Sequence, residues 1–556
     1  MHSKGVNARE ERYLPKIFKK SVFKFVQSQW GKEDEDTDIV FEDMEEFFVD
    51  MLKKRDWILD DQTWNDMDMN RVFRKVNRTF SSSGQQVLYN MLRTLQFDEA
   101  ELKRRDRLID FFQHNKDERE KLSCVFYFLG KEGYDGAASI LFKGMPSLPD
   151  YASWAPVLTV CMILSILSVF LIGVRALVPI LIMFVVNTVF HNKLNSHTEA
   201  TMPAIKYIGK MIYAAKVIEQ LAYPQLQKDY NEFFGKCAVK CATILKKARS
   251  VGLGSGDPFG LSEYAKMLFL SEARGFLRAL KHVEENVAVL RVLYRKLGEL
   301  DAFQSVASYR RGLRIFSKPK FVEAGQYIHA DSIGHPLLSN PVYNSITIDH
   351  KNIVVTGSNM SGKSTFLRTV AINSVFAQTI YTTVSKQYET SFFNVLTSIS
   401  PSDDLLEGKS YYMAEAEALL RMVNILEEDR CSLLIIDEIF RGTNPLERVA
   451  AASALLQYFA KRNTLVIVAT HDMEITQNVD ADYTSYHFSE NVTRDSLDFD
   501  YKLKEGPLTK PNGIRILEYI GYPEEITEMA FANTGYVLSP EDAAETERTE
   551  LSHDGA

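Results

Sequence analysis

The chain is poor in cysteine, has no excess of basic residues, and contains one long stretch with almost no charge. Five cysteines in 556 residues are too few for a disulfide framework, so we expect a reducing compartment. Acidic residues outnumber basic ones by 73 to 65, which gives a net charge of −8. This balance excludes a protein that coats nucleic acid through its overall charge, but not one with a local basic patch. Residues 1–20 contain no apolar run of the kind that a cleavable signal sequence needs.

The stretch with almost no charge covers residues 154–190, where Arg175 is the only charged residue. Its first part is Trp154–Gly173. As a helix rising ~1.5 Å per residue, this part would span about 30 Å, which is the thickness of a bilayer core. The second part, Ala176–Phe190, is shorter and carries Pro179 and Asn187.

Basic residues flank this stretch on both sides, at Lys143, His191 and Lys193, and they place both ends on the cytoplasmic face of a membrane. We therefore expect a membrane protein with a two-span hairpin at 154–190, or with one span and a re-entrant return. The alternative is a cytoplasmic protein in which this hairpin is buried in the core or in a dimer interface. Soluble core helices usually keep a polar face, and neither part shows one.

Composition divides the whole chain into four regions. We predict an N-terminal polar helical segment at 1–56, a helical domain at 57–318 that contains the hairpin, an α/β domain at 319–538, and a disordered tail at 539–556. From residue 319 onward, short β-branched runs alternate with helical patterns, which is typical of a mainly parallel sheet covered by helices. The predicted fold class is therefore α plus α/β.

One strand-to-helix transition carries a phosphate-binding pattern. The apolar run Ile353–Thr356 leads into G-x-x-x-x-G-K-S, followed by a helical pattern. Such a loop wraps backbone N–H groups around phosphate oxygens, and the helix N-terminus adds its positive dipole end. Lys363 would reach the β- and γ-phosphates, and the Ser364 hydroxyl would bind Mg²⁺. We predict that ATP or GTP is bound by Gly357, Ser358, Asn359, Met360, Ser361, Gly362, Lys363, Ser364 and Thr365.

Polar residues at the ends of two further apolar runs would complete this site. The run Leu433–Ile436 ends in Asp437 and Glu438; Asp437 would hold Mg²⁺, and Glu438 would be the general base for the attacking water. A third run ends at His471, which is either a sensor of the γ-phosphate or a plain surface histidine. Gln378, one helix after the loop, would contact Mg²⁺ or the water, or is an ordinary solvated glutamine.

These motifs resemble those of the MutS family of mismatch-repair ATPases. Gly357–Thr365 resembles that family's G-P-N-M-G-G-K-S/T, and Asp437–Thr443 resembles D-E-I-G-R-G-T. The stretches Ser400–Glu415, Thr470-His471 and Tyr501–Ile514 follow further family motifs in the family's order. The resemblance covers about residues 320–535, and more weakly extends upstream.

The resemblance implies a helical lever domain followed by an ABC-like P-loop ATPase domain. It implies hydrolysis of ATP to ADP and phosphate, with Mg²⁺, at a composite site in a homodimer whose lever helices move. Ser410 would reach the partner's γ-phosphate, and Tyr343 or Val342 would pack on the adenine. Only about 56 residues precede the lever, too few for the family's mismatch-reading domains, so we expect a short form that does not intercalate into mismatches.

Lysines are frequent in the helical patterns of residues 206–249. They would neutralise DNA phosphates, contact a lipid surface, or simply be solvated. Two hypotheses follow: a membrane-tethered ATP-dependent DNA-binding protein, or an ATP-gated membrane switch that acts on protein or lipid without DNA. The basic set consists of Lys206, Lys210, Lys216, Lys228, Lys236, Lys240, Lys246, Lys247 and Arg249.

Overall fold

The computed structural model describes most of the chain between residues 17 and 534, with gaps. Its described ranges are 17–33, 57–131, 136–145, 147–198, 201–244, 268–323, 325–358, 360–399, 411–426, 430–492, 497–508 and 513–534, together with residues 39, 41, 44 and 47. The predicted tail at 539–556 lies outside the described residues. Two compact units are present: Met1–Asp60, Asp68–Phe316 and Val375–Thr382 form the first, and Asp61–Met67, Ser317–Ser374 and Thr383–Ala556 form the second.

The first unit is helical. Helices up to residue 312 are, in chain order, α1 (Lys20–Gln29), α2 (Asp61–Asp66), α3 (Met69–Val76), α4 (Ser82–Arg93), α5 (Glu99–His114), α6 (Lys116–Leu129), α7 (Gly136–Ala138), α8 (Ala155–Leu167), α9 (Val169–Ile172), α10 (Leu177–Thr198), α11 (Thr201–Leu221), α12 (Glu232–Lys240), α13 (Ser271–Glu285) and α14 (Val287–Gly312). Of these, α2 alone belongs to the second unit. Short 3₁₀ or π turns lie at Ser139–Lys143, Asp150–Trp154, Gly173–Ala176, Pro224–Leu226 and Gln227–Asn231.

Helix α4 packs closely on α14 around a buried carboxylate. Ser81 caps α4 by accepting a hydrogen bond from the Gly84 backbone N–H at 3.0 Å, and this satisfies one of the free donors of the first turn. The fully buried Asp301 of α14 accepts hydrogen bonds from Ser81 N at 2.8 Å and Ser81 Oγ at 2.6 Å. A Cβ on Gly84 would lie 2.2 Å from Asp301 Oδ2, so a side chain at this position would displace the carboxylate.

The Asp301 carboxyl gives this unit a defined response to pH. Burial raises the pKa of Asp301 from 3.8 to about 6, although the hydrogen bonds from Ser81 and Phe80 oppose this rise. Between pH ~4 and ~6 the folded state therefore holds a proton that the unfolded state has lost, so stability falls as pH rises through this window, by up to about 3 kcal/mol. We expect Asp301→Asn to remove this dependence, measured as amide hydrogen exchange in α4 and α14, with wild type and variant compared at each pH. An identical pH trend in both proteins would refute this role.

The C-terminal end of α14 carries a buried arginine that binds residues 381 and 382. The Arg310 side chain is wholly buried; its guanidinium donates to Asp106 Oδ1, Thr382 Oγ1 and the Tyr381 carbonyl, each at 2.8 Å. Burial lowers the pKa of Arg310, and the charge of Asp106 opposes this. These bonds tie residues 381 and 382 into the helical unit, to which Val375–Thr382 belongs. The sequence did not indicate this exchange of segments.

Helices α8 to α10 form the predicted hairpin. Tyr151 Oη donates to the Lys193 carbonyl at 3.2 Å, so the two ends of the hairpin lie side by side, and the turn at Gly173–Ala176 contains the exposed Arg175. The large apolar side chains along it are exposed, up to 88% for Leu171. Among the described residues, one helical stretch, Asp150–Thr198, is long and apolar enough to cross a membrane, and 11% of its most apolar window is buried.

The two polar side chains on the inner side of the hairpin bond to the backbone before α13. Asn187 Nδ2 donates to the Leu268 carbonyl at 2.7 Å, and Thr159 Oγ1 lies 3.0 Å from the Phe269 carbonyl. Both side chains are buried. Many apolar side chains of the hairpin are exposed within the described residues, so the structure does not bury the whole hairpin in the core. Burial in a dimer interface stays an alternative.

Where it is described, the second unit contains three sheets and flanking helices. Its elements after Gly312 are β1 (Lys320–Phe321), β2 (Tyr327–Ile333), β3 (Asn344–Asp349), β4 (Asn352–Thr356), α15 (Lys363–Thr379), β5 (Gln387–Thr390), β6 (Asn394–Ser398), α16 (Tyr411–Ile425), β7 (Ser432–Asp437), α17 (Pro445–Ala460), β8 (Thr464–Ala469), α18 (Met473–Asn478), β9 (Tyr483–His487), β10 (Glu490–Val492), β11 (Leu497–Phe499), β12 (Lys504–Glu505), α19 (Gly513–Ile520) and α20 (Glu524–Thr534). The last turn of α15 belongs to the first unit.

The largest sheet has the strand order β12-β9-β4-β8-β7-β6. The four pairs from β9 to β6 are parallel, and only the edge pair β12–β9 is antiparallel. A second sheet, β1-β5-β2-β3, mixes both directions, and β10 pairs antiparallel with β11. Strands β4, β7 and β8 are buried along their whole length, which explains their continuous apolar sequences.

Helix α2 is bound to the edge strand β6 of this sheet through Asp66. Its carboxylate accepts from Thr397 Oγ1 at 2.8 Å and from Ile399 N at 3.0 Å. Arg368 on α15 donates to the Asp66 carbonyl at 2.7 Å. This helix, which the sequence analysis placed in the helical domain at 57–318, is therefore part of the α/β unit.

Candidate functional site

Three parallel strands bring the predicted site residues to one edge of the sheet. β8 lies between β4 and β7, and the register pairs Ala469 with both Val355 and Asp437. The residues that follow β4, β7 and β8 must therefore lie side by side, because the carboxyl ends of parallel strands meet at one edge. Those residues are the glycine-rich loop from Gly357, Asp437 with Glu438, and His471.

The loop between β4 and α15 has the curvature that a phosphate-binding loop needs. Gly357 and Gly362 have φ angles of +149° and +102°, which side chains with a Cβ rarely adopt. The ammonium of Lys363, the first residue of α15, donates to the Gly357 carbonyl at 2.6 Å and the Ser358 carbonyl at 2.9 Å. The lysine thus lies inside the curve of the loop, beside the helix N-terminus.

Ser364 and Asp437 form a pair of oxygen ligands next to the loop. The Ser364 hydroxyl donates to Asp437 Oδ2, and burial raises the pKa of Asp437, while this hydrogen bond and the charge of Arg441 oppose the rise. Mg²⁺ prefers oxygen ligands and is usually held by one or two carboxylates together with substrate phosphates. The two side chains fit that role. Within the described ranges, no group of three or more His, Cys, Asp or Glu side chains is arranged so that it could hold a metal ion.

Glu438 lies between His471 and Arg441. Its Oε2 is 3.0 Å from His471 Nδ1 and 3.0 Å from Arg441 Nε. Burial alone would raise the pKa of Glu438, but the hydrogen bond from His471 and the charges of His471, Arg441 and Lys363 lower it below its ordinary value. The same hydrogen bond raises the pKa of His471. Glu438 is therefore ionised at neutral pH and able to accept a proton.

Lys363 is a buried cation that acidic neighbours hold charged. Burial lowers the pKa of its ammonium, and the charges of Glu438 and Asp437 oppose this.

The backbone at Glu438 is in the left-handed region, with φ of 62°, and its N–H donates to the Ala469 carbonyl at 2.9 Å. Such strain at a buried polar position is typical of functional sites.

A cavity of about 350 Å³ opens beside the loop. This volume lies within the range of ~300–1,000 Å³ that is usual for small-molecule sites. Its wall combines apolar and polar residues: Ile333, His335, Leu338, Asn340, Pro341, Val342, Asn344, Gly362, Thr365, Phe366, Thr369, Phe488 and Tyr501. Of the two candidates for the adenine-packing residue, Val342 lines the cavity, whereas the ring of Tyr343 packs over Gly334.

The structure corrects one predicted site residue. Gln378 is buried near the C-terminal end of α15, fifteen residues after Lys363, and the helical rise separates the two by about 22 Å. Its carbonyl accepts from Gln96 N at 2.9 Å within the helical unit. Gln378 therefore cannot reach Mg²⁺ or the water, because it lies fifteen residues along the same helix from Lys363.

Some predicted residues are not tested. Asn359 and Ser410 lie outside the described residues, so their roles stay predictions. Met360 is exposed on the loop, and Ser361 Oγ bonds the Ser358 carbonyl at 2.8 Å, which stabilises the loop from within.

The sequence reasoning missed two residues that shape the site. Tyr501 covers Gly362 and lines the cavity, and a Cβ on Gly362 would meet its ring at 3.1 Å. Glu415 of α16 is buried against the backbone of Arg441 and Gly442, and burial raises its pKa. Both residues stand in motifs that resemble the MutS family, and that resemblance was the available signal.

The C-terminal half of the chain is similar to known proteins. Residues 353–536 match the family model "MutS domain V". The chain is 32% identical to "DNA mismatch repair protein MutS" of Thermus thermophilus over 267 residues, which are 47% of this chain and 32% of that protein. The identically named protein of Petrotoga mobilis is 30% identical over 45% of this chain and 32% of its own length. The identically named protein of Staphylococcus haemolyticus is 30% identical over 51% of this chain and 32% of its own length.

The chain thus spans about a third of the length of these curated relatives. The match includes the loop, Asp437, Glu438 and His471, whose side chains lie at one edge of the sheet. Residues 353–536 therefore match MutS domain V, and the resemblance to the MutS family is confirmed for the C-terminal half of the chain.

Proposed function

We propose that the α/β unit binds and hydrolyses ATP with Mg²⁺. The observation that carries this proposal is the contact set around the loop: Lys363 inside its curve, Ser364 hydrogen-bonded to Asp437, and Glu438 bonded to His471. The γ-phosphate would meet Lys363 and the N-terminus of α15, both of which stabilise negative charge that develops during phosphoryl transfer. Mg²⁺, held by Ser364 and Asp437, would neutralise phosphate charge.

Glu438 is the proposed general base. Its ionised carboxylate would take a proton from the attacking water, and His471 would respond to the γ-phosphate through its bond to Glu438. The adenine would enter the cavity between Val342 and Tyr501. Ser410 would complete the partner's site in a homodimer, so that ATP binding closes the dimer and hydrolysis opens it, with the lever helices following.

Loss of Lys363 tests the site directly. We expect Lys363→Ala to lose ATP binding by at least about a hundredfold, because two phosphate contacts of a charged donor disappear. Lys461→Ala removes an exposed lysine of the same unit and serves as the control with unchanged affinity. Isothermal titration of the full chain with a non-hydrolysable ATP analogue measures the affinity of each variant. Equal affinity of wild type and Lys363→Ala would refute the site.

Attachment to a membrane through the hairpin is the second part of the proposal. Its support is the exposure of large apolar side chains on every side except the inner one, over helices of about 27 Å (155–172) and about 20 Å (177–189) at the helical rise. Soluble proteins rarely leave so large an apolar patch in water. At its base, Lys193 lies over the Tyr151 ring at 4.8 Å. Aromatic and basic residues of this kind suit a cytoplasmic membrane interface.

DNA is the proposed partner of the helical unit, and protein or lipid cargo is the alternative. Exposed lysines on α11 and α12, at positions 206, 216, 236 and 240, would bind phosphates without reading bases. The structure does not describe the side chain of Lys228. Lys246, Lys247 and Arg249 lie outside the described residues. The relatives' printed name, a DNA mismatch repair protein, favours DNA.

DNA retention distinguishes these two partners. We expect the full chain to retain mismatched, branched and plain duplexes at low salt, with ATP altering the retention. Lys206→Glu together with Lys216→Glu is expected to reduce the slope of affinity against salt by about two, since two phosphate contacts are lost. Filter binding measures both. If no DNA is retained and none stimulates hydrolysis, the DNA partner is wrong and the alternative stands.

A further inference from the structure

The helical unit contains a second, cationic cavity. Its volume is about 200 Å³, close to the ~150 Å³ that holds one benzene ring and below the range for drug-sized ligands. The enclosed volume therefore holds about one ring system, and the rest of a larger ligand would lie outside it, against the exposed lining residues. The residues that line it are Phe25, Gln29, Lys32, Arg78, Thr79, Phe80, Tyr127, Gly130, Lys131, Gln304 and Ser308.

The described charged residues that line this cavity are all basic. They are Lys32, Arg78 and Lys131. Among the described carboxylates nearby, Glu33 pairs with Lys75, and Asp301 accepts bonds from Ser81. The described part of the wall therefore attracts an anion.

Two buried polar groups on the wall lack partners within the described residues. Arg78 is 8% exposed and Gln304 is 2% exposed, and the Nε of Arg78 and Oε1 of Gln304 make no hydrogen bond there. Arg78 is also held in place, because its Nη1 donates to the Ser308 carbonyl. Unsatisfied buried polar atoms are uncommon in native proteins, and a polar ligand on this wall would give these two atoms partners.

Aromatic rings form the open side of the cavity. Phe25 and Tyr127 are 41% and 43% exposed, with ring centroids 5.0 Å apart, and Phe80 lies edge-on to Tyr127 at 6.4 Å. Exposed rings beside cations bind nucleotides, because bases stack on the rings and the cations contact the phosphate.

Helix α1, which carries Phe25 and leads into Lys32, is fixed by several contacts. The Arg119 guanidinium lies 3.7 Å from the Trp30 ring, Gln27 Nε2 donates to Glu120 at 2.7 Å, and Gly31 N donates to Ser308 Oγ at 3.0 Å. The wall of the cavity is thus preformed, which reduces the entropy cost of binding.

We propose that this cavity binds one nucleotide, with its phosphate against Lys32 and Lys131 and its base against Phe25 and Tyr127. The nucleotide is either free or an unpaired member of a DNA strand, and the chemistry recognised is the same. This site is separate from the proposed ATP site, and its test does not depend on ATP hydrolysis.

The experiment uses the full chain in detergent with Lys363→Ala, so that the glycine-rich loop does not compete for the probe. The probes are dTMP, inorganic phosphate and a labelled oligo(dT) strand. Their binding is measured by saturation-transfer NMR and fluorescence anisotropy. We expect dTMP to bind saturably and more tightly than phosphate. Lys32→Glu with Lys131→Glu is expected to weaken binding by at least about tenfold, and Tyr127→Ala by about fivefold or more. Lys281→Glu, an exposed lysine on α13, is the matched control.

The two sources of the nucleotide give different results. Tighter binding of the strand than of dTMP assigns the site to single-stranded DNA, and equal binding assigns it to a free nucleotide. Failure of dTMP to bind, equal affinity for phosphate, or unchanged binding after the double charge reversal in a variant with wild-type melting temperature would overturn the proposal.

Discussion

Glu438→Gln is expected to reduce ATP turnover by about 10²- to 10⁴-fold, the usual contribution of a positioned general base. The amide keeps the size of the carboxylate but cannot accept the proton of the attacking water. Lys363 and the loop are untouched, so ATP affinity should stay within about threefold of wild type, or rise slightly as charge repulsion of the γ-phosphate falls. Single-turnover hydrolysis with radiolabelled ATP separates the binding from the chemical step.

A second carboxylate in the same unit serves as the control for Glu438→Gln. Glu474, exposed on α18 near the same edge of the sheet, carries the same charge, and Glu474→Gln should leave turnover within about twofold of wild type. Glu438 also bonds Arg441 and His471, so the variant's melting temperature must be recorded. Unchanged turnover in a folded Glu438→Gln protein would remove this residue from the mechanism.

The second large effect concerns the hairpin. We expect the wild-type chain to stay with native membranes after carbonate extraction, and Leu164→Arg with Leu181→Arg to release it. Both leucines are exposed near the middle of the hairpin. Each arginine at the centre of a bilayer costs about 2.5–3.5 kcal/mol on insertion scales, so the pair shifts partition by three orders of magnitude or more.

An equally exposed apolar residue outside the hairpin supplies the control. Val239 on α12 is 80% exposed, and Val239→Arg should leave the chain in the membrane fraction. Release of the wild-type chain by carbonate, or equal release of the Val239→Arg chain, would show that the hairpin does not hold the protein in a membrane.

Short contiguous motifs made part of the site predictable. The loop at 357–365, Asp437, Glu438 and His471 each follow an apolar run, and such runs place their last residues at one edge of a parallel sheet. The sequence therefore indicated which groups would meet. It did not indicate the bonds from His471 and Arg441 to Glu438, because these depend on loop geometry at a strained backbone position.

Contacts between distant segments could not be read from local patterns. Asp66 binds the backbone beyond β6, and Arg310 binds Thr382, although each pair is separated by tens to hundreds of residues. Gln378 was misplaced for a related reason: periodicity indicated a helix but not that its end would lie in the helical unit.

The composition of the hairpin predicted one of its properties and did not predict another. The near absence of charged residues at 154–190 identified the segment. In the structure its apolar side chains are largely exposed, which is unusual for a protein surface in water. Asn187 looked unfavourable in an apolar span, but its amide donates to the Leu268 carbonyl. That partner lies beyond a long stretch of sequence, so no local pattern indicated it.

Phosphate release by the full chain, reconstituted in liposomes and supplied with ATP and Mg²⁺, tests the central claim most directly. We predict steady turnover that requires Mg²⁺, that is lost on chelation, and that falls to background in Lys363→Ala and Glu438→Gln. Release by the wild-type protein that is no faster than release by either variant would contradict the proposed ATP hydrolysis at this site.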